Sequence, residues 1–290
     1  MTQKIQREKI AENVYFFQSD SYALVTAGVI LGPQWAVVID TLPLPEETME
    51  LLRFIKQEIG AKVRYVINTH YHADHTWGNC FFPDATVIGH ELCRQQLEER
   101  GKPSLEEARK QNSSFRTIQI ILPHITFIEG SITLQVGKKN IHIIPMAGHS
   151  ADGVGVFVEE DRVLFTGDAF MELPFIVDGN IDDLTLTLMK IAKLGLENII
   201  QGHGNIILRG EIDGAIKENL FYLENIRREV EISQKKKYPG DYLQEVSVEA
   251  CGKSHILIGG MAYELHQRNL RSLYRYLYGT LPAMEEFNDE

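Results

Sequence analysis

Residues 69–79 read THYHADHTWGN, and this stretch decides the fold. Three of the ten histidines, His70, His72 and His75, cluster there around the carboxylate of Asp74. Neutral imidazole nitrogens beside one hard anionic oxygen are what a borderline-soft dication takes as ligands. Such a centre, if it is an active site, needs further ligands downstream.

Working outward from the cluster, the run KVRYVIN is β-rich and delivers the chain directly into His70. Further upstream, WAVVID reads as a short buried strand ending at Asp40, and Val14–Gln18 and residues 23–30 read as strands. After Pro43 and Pro45, EETMELLRFIKQEIG spaces Met49, Leu51, Leu52, Ile55 and Ile59 for a helix with one buried face. Downstream, the pattern predicts a helix over 91–100 with Gly101 as its stop. Residues 103–116 are polar and read as helix or flexible flap. SITLQV and NIHIIPM flank GKKN as a hairpin, and VGVFVEEDRVLFTGD turns at 159–161 as another. IDDLTLTLMKIAKLG reads as helix and ENIIQGHG as a strand. Beyond about residue 209 the texture becomes helical, with amphipathic runs at 211–235 and 266–277. The organisation expected is a catalytic unit over 1–209 and a helical C-terminal extension over 210–290 packed on it.

Three more candidate ligands lie just past β-type runs and beside glycine, which lets the backbone approach closely. They are His149 in MAGHSADG, Asp168 in LFTGDAF and His203 in IIQGHG. The candidate set is then His70, His72, Asp74, His75, His149, Asp168 and His203. His90, His124, His142, His255 and His266 read as ordinary surface or core histidines.

H-x-H-x-D-H followed in order by G-H-S, G-D and G-H-G resembles the metallo-β-lactamase superfamily, over about residues 12–208. The resemblance implies an α/β αββα four-layer sandwich with metals at one edge between two mixed sheets. It implies that one metal is held by His70, His72 and His149, and the other by Asp74, His75 and His203. Asp168 matches the aspartate that bridges them, and Asp40 an acid at a strand end that orients a ligand histidine. The chemistry implied is that of a hydroxide made from a water whose pKa falls from about 15.7 to near 7. Asp74 would orient that hydroxide as well as bind metal. The dominance of imidazole favours two Zn²⁺ per chain, with iron or manganese as alternatives.

The activity expected is hydrolysis of a small carbonyl substrate: an ester, thioester, lactone or β-lactam. The alternatives are a β-lactamase, a phosphodiester hydrolase and, in another class, a non-catalytic metal-binding scaffold. Oxygen-reducing diiron members carry glutamate where His72 stands and have a flavin domain. Glyoxalase II-type thioesterases share TH-x-H-x-DH-x-x-GN but usually show threonine after the downstream G-H, where this chain has Ser150. The lactamase branch with a cysteine ligand has it where Asp168 stands here. For the pocket, Tyr71 and Trp77 interleave the ligands, and Phe170, Met171 and Phe175 follow Asp168; each is either lining or packing.

Composition narrows the partners. The chain has 44% hydrophobic and 24% charged residues, a soluble globular composition. A net charge of -11 repels nucleic acid and anionic membranes. No apolar run approaches the 18 or so residues that span a bilayer. MTQKIQREKIAENVYFF does not read as a secretory signal, so the expected location is the cytoplasm. The three cysteines, Cys80, Cys93 and Cys251, suit free thiols. The end HQRNLRSLYRYLYG reads as a packing helix, with a homodimer contact as the alternative.

Overall fold

The computed structural model describes residues 5–60 and 62–281. Thirteen strands and eight α-helices follow in chain order among them. The strands are β1 Gln6–Ala11, β2 Val14–Gln18, β3 Thr26–Leu31, β4 Trp35–Ile39, β5 Lys62–Ile67, β6 Thr86–His90, β7 Ile125–Phe127, β8 Ile132–Val136, β9 Lys139–Pro145, β10 Val154–Val158, β11 Val163–Gly167, β12 Asn198–Gln201 and β13 Ile207–Leu208. The helices are α1 Pro45–Ile59, α2 Ala73–Thr76, α3 Glu91–Gln96, α4 Lys102–Gln111, α5 Ile181–Ile191, α6 Arg209–Ser233, α7 Pro239–Glu245 and α8 Ala262–Tyr278.

The strands form two mixed sheets, one ordered β1 to β7 and the other β13-β12-β11-β10-β9-β8. Period-2 alternation explains why four layers result. In β4, Val37 and Ile39 face the second sheet while Ala36 and Val38 face α1. In β11, Val163 and Phe165 face the first sheet while Leu164 faces the helices behind. Each sheet therefore buries both faces, one on its partner and one on helices. Helix α1 starts at Pro45 in its first turn and stops at Gly60, whose φ of 61° places it in the left-handed region.

The C-terminal helices are an extension packed against the second sheet's outer layer. Tyr222, Leu223, Ile226, Leu270 and Leu273 join Leu173, Leu184 and Leu188 in one apolar cluster. Among the described residues, no helix is long and apolar enough to cross a membrane.

Two local expectations change, and residues 103–116 take the helical one of their two readings. Gly101 does not stop a helix: the chain continues through a π-helical turn at Leu97–Gly101 into α4, with Gly101 at ordinary helical angles. Buried Leu97 and Leu105 anchor this path, and Pro103 sits in the first turn, where its missing N–H costs little. The segment after it is ordered as α4 and a 3₁₀ turn, held by Ile118 in the core. Strand β3 begins at Thr26 rather than at residue 23, because Ala23 and Leu24 have φ of 44° and 54°.

Candidate metal centre

Every candidate ligand lies at one edge of the sandwich. Strand β5 ends at Ile67 and hands the chain to His70 and His72, and the single turn α2 then carries Asp74 and His75. From the second sheet, β9, β11 and β12 lead respectively to His149, Asp168 and His203. Backbone hydrogen bonds join the two groups of loops, including Val154 N–H to Thr69 O at 2.8 Å and Thr26 N–H to Gly202 O at 2.9 Å.

The side chains gather as two clusters. His70 Nε2 and His149 Nε2 each lie 3.0 Å from His72 Nδ1. Asp168 Oδ2 lies 3.4 Å from His149 Nε2 and 3.4 Å from His203 Nε2. On the other side, Asp74 Oδ2 is 3.3 Å from His203 Nε2 and 3.7 Å from His75 Nε2. Asp168 Oδ1 is 3.3 Å from His75 Nε2. Asp168 thus faces both clusters.

These separations fit metal ligands. Nitrogens bound at 2.0–2.1 Å in a tetrahedron lie about 3.3 Å apart. A pair of neutral imidazoles cannot satisfy a third nitrogen by hydrogen bonding alone, whereas a shared cation satisfies all of them. His75 Nε2 and Asp168 Oδ1 are buried with no hydrogen-bond partner, the signature of lone pairs kept for a ligand.

The outer ring nitrogens are fixed in turn. His75 Nδ1 meets Asp40 Oδ2 at 2.9 Å, His149 Nδ1 meets Phe175 O at 2.8 Å, and His203 Nδ1 meets Ala23 O at 2.9 Å. Each acceptor holds a proton on the outer nitrogen, so that in the neutral form the inward Nε2 is the one free to bind metal. His72 is reversed: its Nε2 lies 2.9 Å from Asp178 Oδ2 and its Nδ1 points inward. Tyr71 Oη donates to the same carboxylate at 2.7 Å and Arg100 lies 3.1 Å from its other oxygen.

Charge divides the centre. Burial pushes His70 and His149 down, His149 to about 4, against the pull of Asp168. Burial opposes charge on His75 and His203 too, but the Asp168 and Asp74 carboxylates override it. They raise His75 well above its ordinary value and His203 to about 10. Hydrogen bonding from His72 holds Asp178 well below the usual carboxylate range.

Backbone fit is tight. A Cβ on Gly202 would lie 1.9 Å from Asp168 Oδ1, so only glycine lets that carboxylate reach inward. A Cβ on Gly148 would lie 2.3 Å from Leu184 Cα.

A cavity of about 450 Å³ opens onto both clusters. Tyr71, Trp77, Met171 and Phe175 line it, whereas Phe170 is 1% exposed and lies in the core beside it, outside the lining. Trp77 also packs edge-on against Phe115 at 5.1 Å. Asp178, Arg100, Tyr22 and Arg268 are lining residues that sequence reasoning did not single out. Asp178 sits in the turn ahead of α5, and Tyr22 and Arg268 lie far from the motifs. Nothing in their spacing announces them. Cys80 is half-buried, its thiol directed to Trp77 O, outside both clusters.

Comparison with known proteins agrees with the geometry. A beta-lactamase-like protein 2 homolog of Caenorhabditis elegans is 23% identical over 198 residues, covering 68% of this chain and 60% of that protein. A hydroxyacylglutathione hydrolase of Methylococcus capsulatus is 24% identical over 183 residues, covering 59% and 62%. The chain therefore matches somewhat less than two thirds of these relatives' lengths. The sec-alkylsulfatase Pisa1 from Pseudomonas sp. superposes with a TM-score of 0.73 at 14% identity, over 95% of this chain and half of that one. The profile of the metallo-beta-lactamase superfamily matches residues 17–203. With that match and its two-sheet fold, the chain belongs to the metallo-β-lactamase superfamily.

Proposed function

We propose that this chain hydrolyses a small carbonyl substrate, an ester, thioester, lactone or β-lactam, at a centre of two dications. Metal-dependent hydrolysis is the general activity its superfamily supports. The observation that carries the reading is the pair of ligand clusters facing a common Asp168 on the floor of one cavity. Zinc is the metal this donor set favours, five imidazoles against two carboxylates. Bound there, the metals would supply Lewis acidity and acidify a water between them.

The protein's own part is positioning. Asp74, beside His203 and half-turned to the cavity, can accept a hydrogen bond from an attacking water and aim its lone pair. Asp40 and the carbonyls of Phe175 and Ala23 keep the ligand nitrogens bare. Met171, Phe175 and Leu265 make an apolar wall that displaces water from the substrate body. Arg268 lines the same cavity over the Phe175 ring, 5.4 Å from its centroid, and makes no ion pair among the described residues. That favours substrates with an anionic group away from the scissile bond. Resemblance to a hydroxyacylglutathione hydrolase supports thioesters within this range.

The experiment is to load the protein with zinc, count metals per chain, and assay thioesters, aryl and alkyl esters, lactones, a cephalosporin and a phosphodiester. Turnover of a carbonyl substrate, abolished by Asp74→Ala with the fold intact, is expected. Phosphodiester turnover alone would shift the reading to that bond. Full loading with no turnover of any would leave a binding module and refute hydrolysis.

A further inference from the structure

Tyr22 stands out among the cavity residues because the loop that presents it is strained and held at every point. The segment between β2 and β3 passes along the metal centre: Ala23 O receives His203 Nδ1, and Leu24 O receives Gly204 N–H at 3.0 Å. Tyr22 N–H donates to Ser19 Oγ at 3.1 Å, and Tyr22 O accepts from Val25 N–H at 3.0 Å. Ser19 is itself anchored by its hydroxyl to Glu47 Oε1 at 2.7 Å. The next two residues, Ala23 and Leu24, both take left-handed angles without being glycine or asparagine. Each costs about 1–3 kcal/mol, and such strain persists where the surroundings over-determine it and the geometry serves a site.

The side chain so presented contributes little to packing. Tyr22 belongs to none of the buried apolar clusters and is 49% exposed. Its phenol lines the cavity with Asp74, Asp168 and His203, and no described residue hydrogen-bonds its hydroxyl.

We propose that Tyr22 is a catalytic residue whose hydroxyl donates a hydrogen bond to the substrate oxygen that gains charge as the scissile bond breaks. This rests on the hydrolase reading. In the step, the oxygen of water bonds to the carbonyl carbon and the carbon–leaving-group bond breaks. The leaving group keeps that electron pair and takes the proton water gave up. Tyr22 keeps its own proton and supplies stabilisation alone.

Tyr22→Phe removes the hydroxyl and keeps the ring. In the zinc-loaded protein, kcat for alkyl esters, whose leaving oxygen carries the most charge, should fall by about 10²-fold, as for loss of one such donor elsewhere. p-Nitrophenyl esters should lose far less, because their leaving group needs little help. KM and zinc content should stay near wild type. Equal losses across leaving groups, or none, overturn the proposal. A second measurement does not need turnover: calorimetric binding of methylphosphonate, a tetrahedral oxyanion, to both zinc-loaded proteins. Binding about 10-fold weaker in Tyr22→Phe is expected, the worth of one hydrogen bond to a charged group. Equal binding, or none by the wild type, overturns the assignment of Tyr22. A wild type that binds methylphosphonate but cleaves no carbonyl substrate overturns the hydrolase reading instead.

Discussion

Replacing Asp40 by asparagine would test how one buried carboxylate governs a metal ligand. Asp40 is 3% exposed and accepts from Thr69 N–H at 2.8 Å, Thr69 Oγ1 at 2.7 Å and His75 Nδ1 at 2.9 Å. Its φ of 56° is one that asparagine tolerates, so Asp40→Asn adds no backbone strain. Asparagine has the same shape but offers an amide donor in place of one acceptor oxygen. If its oxygen stays on Thr69 N–H, its NH₂ faces His75 Nδ1. His75 must then accept there, and its proton moves to Nε2. That nitrogen is the buried, unpartnered one 3.3 Å from Asp168. An Nε2–H cannot bind a cation. The flipped amide instead sets NH₂ against Thr69 N–H, leaving an unpaired buried donor at about 1–3 kcal/mol. The flipped orientation keeps the His75 tautomer but costs stability, so the unflipped one is favoured and the outcome is weaker binding at the Asp74–His75–His203 cluster. Loss of such an outer partner typically costs about 10–100-fold in metal affinity, or about 1.4–2.8 kcal/mol. Asp40 reaches the other cluster only through Thr69 Oγ1, which lies 3.1 Å from His70 Nδ1, so that cluster should lose less affinity than the Asp74–His75–His203 cluster. The assay is zinc per chain after equilibration with chelators of graded strength, with circular dichroism to confirm the fold. Two ions held at wild-type affinity in a folded Asp40→Asn protein would refute the reasoning.

Gly202→Ala should lose metal outright, because its Cβ has no room beside Asp168; Gly214→Ala, in an exposed helical position with open space around it, should instead raise the denaturant midpoint by about 0.5–1 kcal/mol of stability. In the metal-free protein, His203 and His75 hold protons at neutral pH, so zinc binding should release them, seen as heats that change with the buffer's ionisation enthalpy. The same raised pKa values set a sign for stability. The contribution of His203 is full below about 6.5 and is lost as pH rises through about 10, so the metal-free melting temperature should fall over that window. Arg268→Ala should raise KM for substrates with a carboxylate and leave neutral esters unchanged, with an effect that shrinks as salt is added.

The ligands and layers were legible in the sequence for a definite reason. Metal ligands must be particular residue types, and His70, His72, Asp74 and His75 sit on one short turn where spacing alone brings them together. Strand ends beside glycine marked His149, Asp168 and His203 in the same way. The walls of the cavity left no such trace. Asp178 reaches His72 across more than a hundred residues, and Tyr22 and Arg268 come from a loop and a C-terminal helix whose meeting depends on packing. Phe170 misled because the residues after Asp168 alternate between the cavity and the core, and proximity in sequence does not reveal which way each faces. The turn at Gly101 escaped notice because glycine marks a helix end only when it takes a left-handed angle, and here it does not.

Drawing ligands from both sheets has a mechanical consequence. A cation held by His75 and His203, or by His72 and His149, is a crosslink between two halves of the sandwich. Between His72 and His149, 77 positions apart, it closes a loop whose tying in the unfolded chain is worth about 4–5 kcal/mol in the chain-entropy picture used for disulfides. The metals would then serve as removable staples. Stripping them should loosen one sheet against the other and bring proteolytic cuts into the loops at that edge, while the opposite end of the sandwich stays closed.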